Sequence, residues 1–222
     1  MAEDISTLRT AIVRIIQDSS YTSTTIDLFI NRALQDIAGD PFVFLPDLED
    51  NDTVTTDTSL NYVALPSDFM KQLFRCYSTT NNREIPIFNS ADLLFRRYSY
   101  IDQGGRVTGV ARRGANLVYQ RIPSSAETLR LHFFRKPTDD EIGCLPDHLA
   151  YDLVVNWVCH KINAEIYEGD DSQAAGSISY RDAEYQKARL KLIDHLGPPA
   201  FEPDPIADEI DWNSFFESDF YA

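Results

Sequence analysis

Two pairs of side chains have the residue types to hold a metal ion. Cys144 and His148 have three residues between them, and Cys159 is followed directly by His160. A structural zinc site needs about four nitrogen or sulfur ligands that converge. Neighbours on a helix project about 100° apart, so Cys159 and His160 do not easily face one ion. These groups read as free core thiols and surface histidines, with one or two of the three cysteines (Cys76, Cys144, Cys159) buried. No cofactor or metal is expected.

Nucleophilic chemistry has no better footing. There is no G-x-S-x-G elbow, and His132, His148, His160 and His195 fall on unlike elements. Paired carboxylates can cleave a glycan when one is raised in pKa and the other stays ionised. With 35 Asp and Glu residues some pair always exists, so the pattern selects nothing. Asp139–Asp140–Glu141 and the acids from Glu165 to Asp171 read as a solvated linker and a helix end. The glycines of DQGGR and RRGAN match neither phosphate-binding fingerprint and read as hairpin turns. No catalytic residue is expected.

The arginines carry more. Lys71 to Lys136 holds 12 basic and 4 acidic residues, a net +8 inside a chain whose total is −15. The remainder is −23, so a basic island sits in an acidic frame. Arg96, Arg97, Arg106, Arg112 and Arg113 are its candidate binding residues. They suit either a nucleic-acid backbone or the acidic residues of a neighbouring subunit. A duplex binder wants a positive protein, and the overall charge favours the neighbouring subunit.

The elements that position these residues follow from periodicity. Apolar content of 43% and charged content of 25% describe a folded chain with a sizeable core. No apolar run reaches the length of a membrane span, and the start MAEDISTLRT lacks the apolar stretch of a signal peptide, which points to a cytoplasm. DISTLRTAIVRIIQDS predicts a helix with Ile5, Leu8, Ile12, Ile15 and Ile16 on one stripe. TTIDLFINRALQDIAG predicts a second, with Thr24 and Asp27 as a capping box and Gly39 as its stop. An acidic, Thr-rich loop follows. NYVAL, MKQLFRCY and REIPIF predict strands, the last an edge strand because of Pro86. SADLLFRRYS predicts a short helix capped by Ser90, with Leu93, Leu94 and Phe95 inward. RVTGVA, ANLVYQRI and ETLRLHFFRK predict an antiparallel meander.

LPDHLAYDLVVNWVCHKINAEIYEG then predicts a helix from Pro146 to Gly169, with Leu149, Leu153, Trp157, Ile162 and Ile166 buried. A last helix runs from about Gln173 to Leu196 and stops at Gly197. Neither helical pair has another apolar neighbour unless the pairs meet. The expected architecture is α+β: a four-helix bundle (1–40 and 140–197), an inserted antiparallel β-rich domain (41–139) and an extended C-terminal arm (198–222).

Four stretches in this order resemble the head-to-tail adaptors of short-tailed bacteriophages, also called tail accessory factors or, in one branch, tail tubular protein A. They are IDLFINRALQDIA, YVALPSDFMKQLFRCY, Phe133-Phe134-Arg135-Lys136-Pro137, and Leu145-Pro146 leading into the long helix. The likeness spans roughly residues 5 to 196. It implies a structural virion protein of the head–tail junction, assembled in the host cytoplasm and acting by binding rather than chemistry. Its copies would form a ring of about twelve beneath the portal protein, closed by rotation. The ring would seal the genome channel, carry the tail nozzle protein and touch genomic DNA in its lumen only transiently.

Within that frame the tail DEIDWNSFFESDFYA gains a role. Trp212, Phe215, Phe216, Phe220 and Tyr221 sit among acids with no Lys or Arg, behind the spacer GPPAFEPDP. Trp212, Phe216 and Phe220 are four apart and would share one face of a helix formed on docking. With Phe201 they form a candidate arm for the portal or an adjacent subunit. Other readings stay open at this point: a carboxylate-based peptidoglycan hydrolase of the virion, a DNA-binding regulator using the arginine strands, or another neck or tail-completion protein.

Overall fold

The computed structural model describes residues 4–98, 104–166 and 172–197. The chain is mixed α+β, with five helices and two four-stranded sheets among these residues. It divides into two compact units. One takes the described residues of Met1–Asp50, Asp68–Lys71 and Phe134–Pro198, and the other takes Asn51–Ser67 and Gln72–Phe133.

The first unit is built on helices α1 (Ile5–Ile16), α2 (Ser23–Gly39), α4 (Asp147–Ile166) and α5 (Ser172–Leu196). Asp4 caps α1 by accepting the Thr7 N–H, and Leu8 and Ile12 are its fully buried residues. α2 buries all six apolar residues that its spacing predicts: Ile26, Phe29, Ile30, Ala33, Leu34 and Ile37. Its cap is not the expected Thr24–Asp27 box. Thr22 accepts the Thr25 N–H, and Asp27 instead forms a two-pronged ion pair with Arg9 of α1 at 2.8 and 2.7 Å. The helix does end at Gly39, without a left-handed glycine there.

α4 is buried around much of its circumference: Leu149, Leu153, Val154, Val155, Trp157, Val158, Cys159 and Ile162 are all inside. A helix apolar on several sides needs several partners, and α1, α2 and α5 all pack on it. Ile166, expected in its stripe, is 37% exposed at the helix end. Polar ties hold the partners in register. Trp157 donates to Asp36 at 2.7 Å, and Arg181 of α5 donates to the buried Asn156 at 2.9 Å. α5 ends where expected, with Gly197 at φ 72° donating its N–H to the Ile193 carbonyl, a left-handed cap.

The second unit holds most of the strands, and the chain passes between the units within β1, β3 and β8. One sheet has the order β1 (Glu49–Thr55), β8 (Thr128–Arg135), β3 (Phe69–Ser78), β4 (Arg83–Glu84). The other has the order β2 (Tyr62–Ala64), β7 (Asn116–Gln120), β6 (Gly109–Arg113), β5 (Ile87–Phe88). Three expectations change here. The acidic, Thr-rich stretch is not all loop, because EDNDTVT pairs as β1. REIPIF is not one strand. Pro86 has no N–H to give, the chain bends there, and β4 and β5 go to different sheets. Ile85 donates to Cys76 on one side, and Val110 donates to the Pro86 carbonyl on the other. The predicted meander is only a β6–β7 hairpin, since β8 leaves it to pair inside the other sheet.

α3 (Ala91–Arg97) is capped by Ser90 and covers one face of the second sheet, with Ala91 and Leu94 packed on Ala111. Phe88, Phe95 and Tyr98 border this cluster. Gly109 is what lets α3 approach. A Cβ there would stand 2.7 Å from the Phe88 ring and 2.9 Å from Leu94 Cδ1. Gly109→Ala is therefore expected to destabilise the fold by about 1–3 kcal/mol through overpacking, read as a lower urea midpoint. An unchanged midpoint would mean that α3 is not packed this closely.

Candidate functional site

Several residues of the stretches that carry the family resemblance lie in the helical unit and make internal bonds there. Arg135, at the end of β8, forms a fork with Glu141 at 2.8 and 2.5 Å. Glu141 also accepts the Thr138 N–H and hydroxyl at 2.7 and 2.9 Å. The next residue, Lys136, donates its backbone N–H to the Asp68 carbonyl of the LPSDF turn. Asn31 of α2 accepts the Asp140 N–H at 2.9 Å. Lys71 donates to the carbonyls of Asp40 and Val43 and lies over the Phe44 ring. Burial pulls its pKa down to about 8, against the raising effect of Asp40. Lys71 and Arg135 thus belong to the basic island by sequence and to internal structure by contact.

Beside this junction lies an open cleft of about 440 Å³, lined by Asp36, Gly39 and Asp40 at the end of α2 and by Tyr185, Gln186 and Arg189 of α5. Arg189 pairs with Asp40 across it. Burial raises the Asp40 carboxyl, but the Arg189 bond, the Phe42 N–H and Lys71 outweigh that and leave it below its ordinary value. Tyr185 is pushed up to about 12, first by burial and then by Asp36 and Asp40. The cleft presents a neutralised carboxylate and a protonated phenol, which do not make an acid–base pair.

All three cysteines are buried, not one or two. Burial raises Cys76 and Cys144 to about 12 and Cys159 to about 11. At neutral pH they are protonated thiols, neither nucleophiles nor good ligands. The structure does bring two histidines together: His148, at the start of α4, and His195, near the end of α5, have ring centroids 5.0 Å apart. No group of three or more His, Cys, Asp or Glu residues placed to hold an ion occurs among the described residues.

The arginines remain. Arg96, Arg97, Arg106, Arg112 and Arg113 are all exposed, and Arg112 donates to the Gly114 carbonyl at 3.1 Å. They do not form one patch. The Tyr98 hydroxyl donates to the Thr108 carbonyl at 3.4 Å, and Leu94 lies against Gly109. The C-terminal end of α3, with Arg96 and Arg97, therefore meets the start of β6, next to Arg106. Arg112 and Arg113 lie at the other end of β6, about 13 Å along the strand. Arg121 joins the first group: its side chain lies against Gly105, whose φ of 149° and missing Cβ leave room for it.

One buried carboxylate was not singled out by sequence. Glu127 is 3% exposed and accepts from the Val107 N–H at 3.1 Å and from Ser78 Oγ at 3.2 Å. Its backbone N–H bonds the Thr56 hydroxyl. It knots the ends of β1 and β3 to the segment leading into β6. Only the partners mark it, and they are 20 to 71 residues away. The arm residues Phe201, Trp212, Phe215, Phe216, Phe220 and Tyr221 lie outside the described residues.

The described residues thus show internal ion pairs, buried thiols and exposed arginines in two groups. Residues 4–199 match the SU10 adaptor protein family. The chain belongs to that family, a membership consistent with a phage head-to-tail adaptor, and it implies a structural, non-enzymatic virion component of a bacteriophage. No curated protein matches the chain significantly. No helix among the described residues is long and apolar enough to cross a membrane.

The Glu141 fork gives a pH prediction. Its Arg135 hydrogen bond, first among the causes, holds Glu141 at about 2, below the ordinary 4.5. The unfolded chain then binds more protons than the native one across that interval, so this contribution is complete above pH 4.5 and fades as pH falls towards 2. Glu141→Gln should lower stability by about 1–3 kcal/mol at pH 7 and flatten the loss between pH 4.5 and 2. Urea titrations across that range check it; an unchanged slope would contradict the assignment.

Proposed function

We propose that this chain is a head-to-tail adaptor that binds beneath the portal ring, closes the genome channel and presents a platform for the tail nozzle protein. The observation that carries the reading is the family match over residues 4–199, nearly all of the chain before the arm. Copies associate head to tail in a ring of about twelve, with the four helices as a bundle and the β-rich insertion as a separate domain.

The charge pattern supports that association. The strand unit holds nine basic and six acidic residues in Asn51–Ser67 and Gln72–Phe133, against 11 basic and 22 acidic in the helical unit. Exposed arginines of one copy can meet exposed acids of the next in a contact that closes by rotation. An acidic lumen lets DNA pass without sticking, because like charges avoid phosphate contacts.

The aromatic and acidic arm is the portal ligand in this reading. Large rings are favoured interface anchors, and a proline-rich spacer precedes them in the sequence. Deleting residues 198–222 should weaken binding to the cognate portal by at least about tenfold, measured by interferometry on immobilised portal. Undiminished binding would remove the arm from the portal contact. Ring assembly on the portal should weaken as NaCl rises from about 0.05 to 0.5 M, where the screening length shrinks severalfold. Salt-insensitive assembly, read by sedimentation velocity, would point to an apolar interface instead.

A further inference from the structure

We propose that, in the chain before it meets a portal, the arginine group at the start of β6 is a docking site for the acidic, aromatic C-terminal segment of this same chain, residues 202–221.

The site is made by the fold. Arg96 and Arg97 close α3, and the Tyr98–Thr108 bond holds that helix end against the strand where Arg106 enters. Arg121 approaches from the paired strand, over Gly105. Four guanidinium groups thus share one end of the sheet, and none has an ion pair among the described residues. Like charges on one end of a sheet repel one another, and an anion relieves the repulsion. The half-buried rings of Phe95 and Tyr98 border the same end of α3. Arginine beside partly exposed aromatic surface suits a ligand with both carboxylates and rings, because guanidinium pairs with carboxylate and stacks on aromatic faces.

Residues 202–221 have that composition: seven acids, Phe201 just before them, five further aromatics and no Lys or Arg. The spacer from Pro198 to Asp211 reaches about 40 Å at about 3 Å per residue. A ligand on such a tether has an effective concentration near the millimolar range, so even a weak site is filled. Duplex DNA is the competing anion. It has to approach a chain of net −15, and it offers no side-chain rings on its surface for Phe95 and Tyr98. The other arginine group, Arg112 and Arg113, lies at the far end of β6 and serves as an internal control.

The test uses the full chain without portal, so its failure would speak to this site and not to the adaptor reading. The photo-crosslinking residue p-benzoylphenylalanine replaces Phe216, and crosslinked peptides are mapped by mass spectrometry. Crosslinks should fall within residues 91–121. Arg96→Glu with Arg97→Glu and Arg106→Glu should cut their yield about tenfold, while Arg112→Glu with Arg113→Glu should leave it near wild type. Crosslinks that map elsewhere, or that resist the triple change, would overturn the proposal. So would equal loss in both variants, which would indicate general charge attraction. If the triple change leaves crosslinking intact but abolishes binding of a fluorescent duplex, the site belongs to phosphate and the proposal fails. Mixing isotope-labelled and unlabelled chains distinguishes an arm from the same molecule from one lent by a second copy; either source supports the site.

Discussion

The structure rests on the burial of α4. Its LVVNWVC core is apolar on several sides, and such a helix is stable only when enclosed. Three helices answer that demand. α1 and α2 come from the N-terminal end of the sequence and α5 from beyond α4 itself, so the chain must return to its own beginning before α4 can be buried. Everything between α2 and α4, nearly the whole β-rich unit, is inserted into that closure. The polar ties from Asp36 to Trp157 and from Arg181 to Asn156 fix the register of helices whose apolar contacts alone would tolerate sliding.

The closure also explains why the residues that carry the family resemblance are unremarkable as chemistry. Asn31, Lys71, Arg135 and Lys136 spend their bonds within the helical unit, on backbone groups and on Glu141.

Much of the helical part was legible in the sequence because a 3.6-residue period is local. All six apolar residues assigned to α2 are buried, as are Leu149, Leu153, Trp157 and Ile162. Ends were harder: Thr22 rather than Thr24 caps α2, since Asp27 has a better partner in Arg9, 18 residues away. Strand partners were not legible. β8 looks like the third strand of a meander, but its mate is set by long-range pairing with β1 and β3, which no local pattern encodes. Charge counting found the basic island, yet composition could not tell Lys71 and Arg135, engaged internally, from Arg96 and Arg106, which are exposed. Nor could it separate Arg112 and Arg113 from the others, because that division depends on which way α3 lies across β6.

The account centres on an adaptor that assembles as a ring on a portal, and stoichiometry tests this most directly. Mass photometry of the full-length chain, alone and with its cognate portal ring, would read it in one experiment. The account predicts small species alone and, on the portal, a single complex heavier by about twelve chains. A chain that stays monomeric or dimeric in the presence of portal would contradict it.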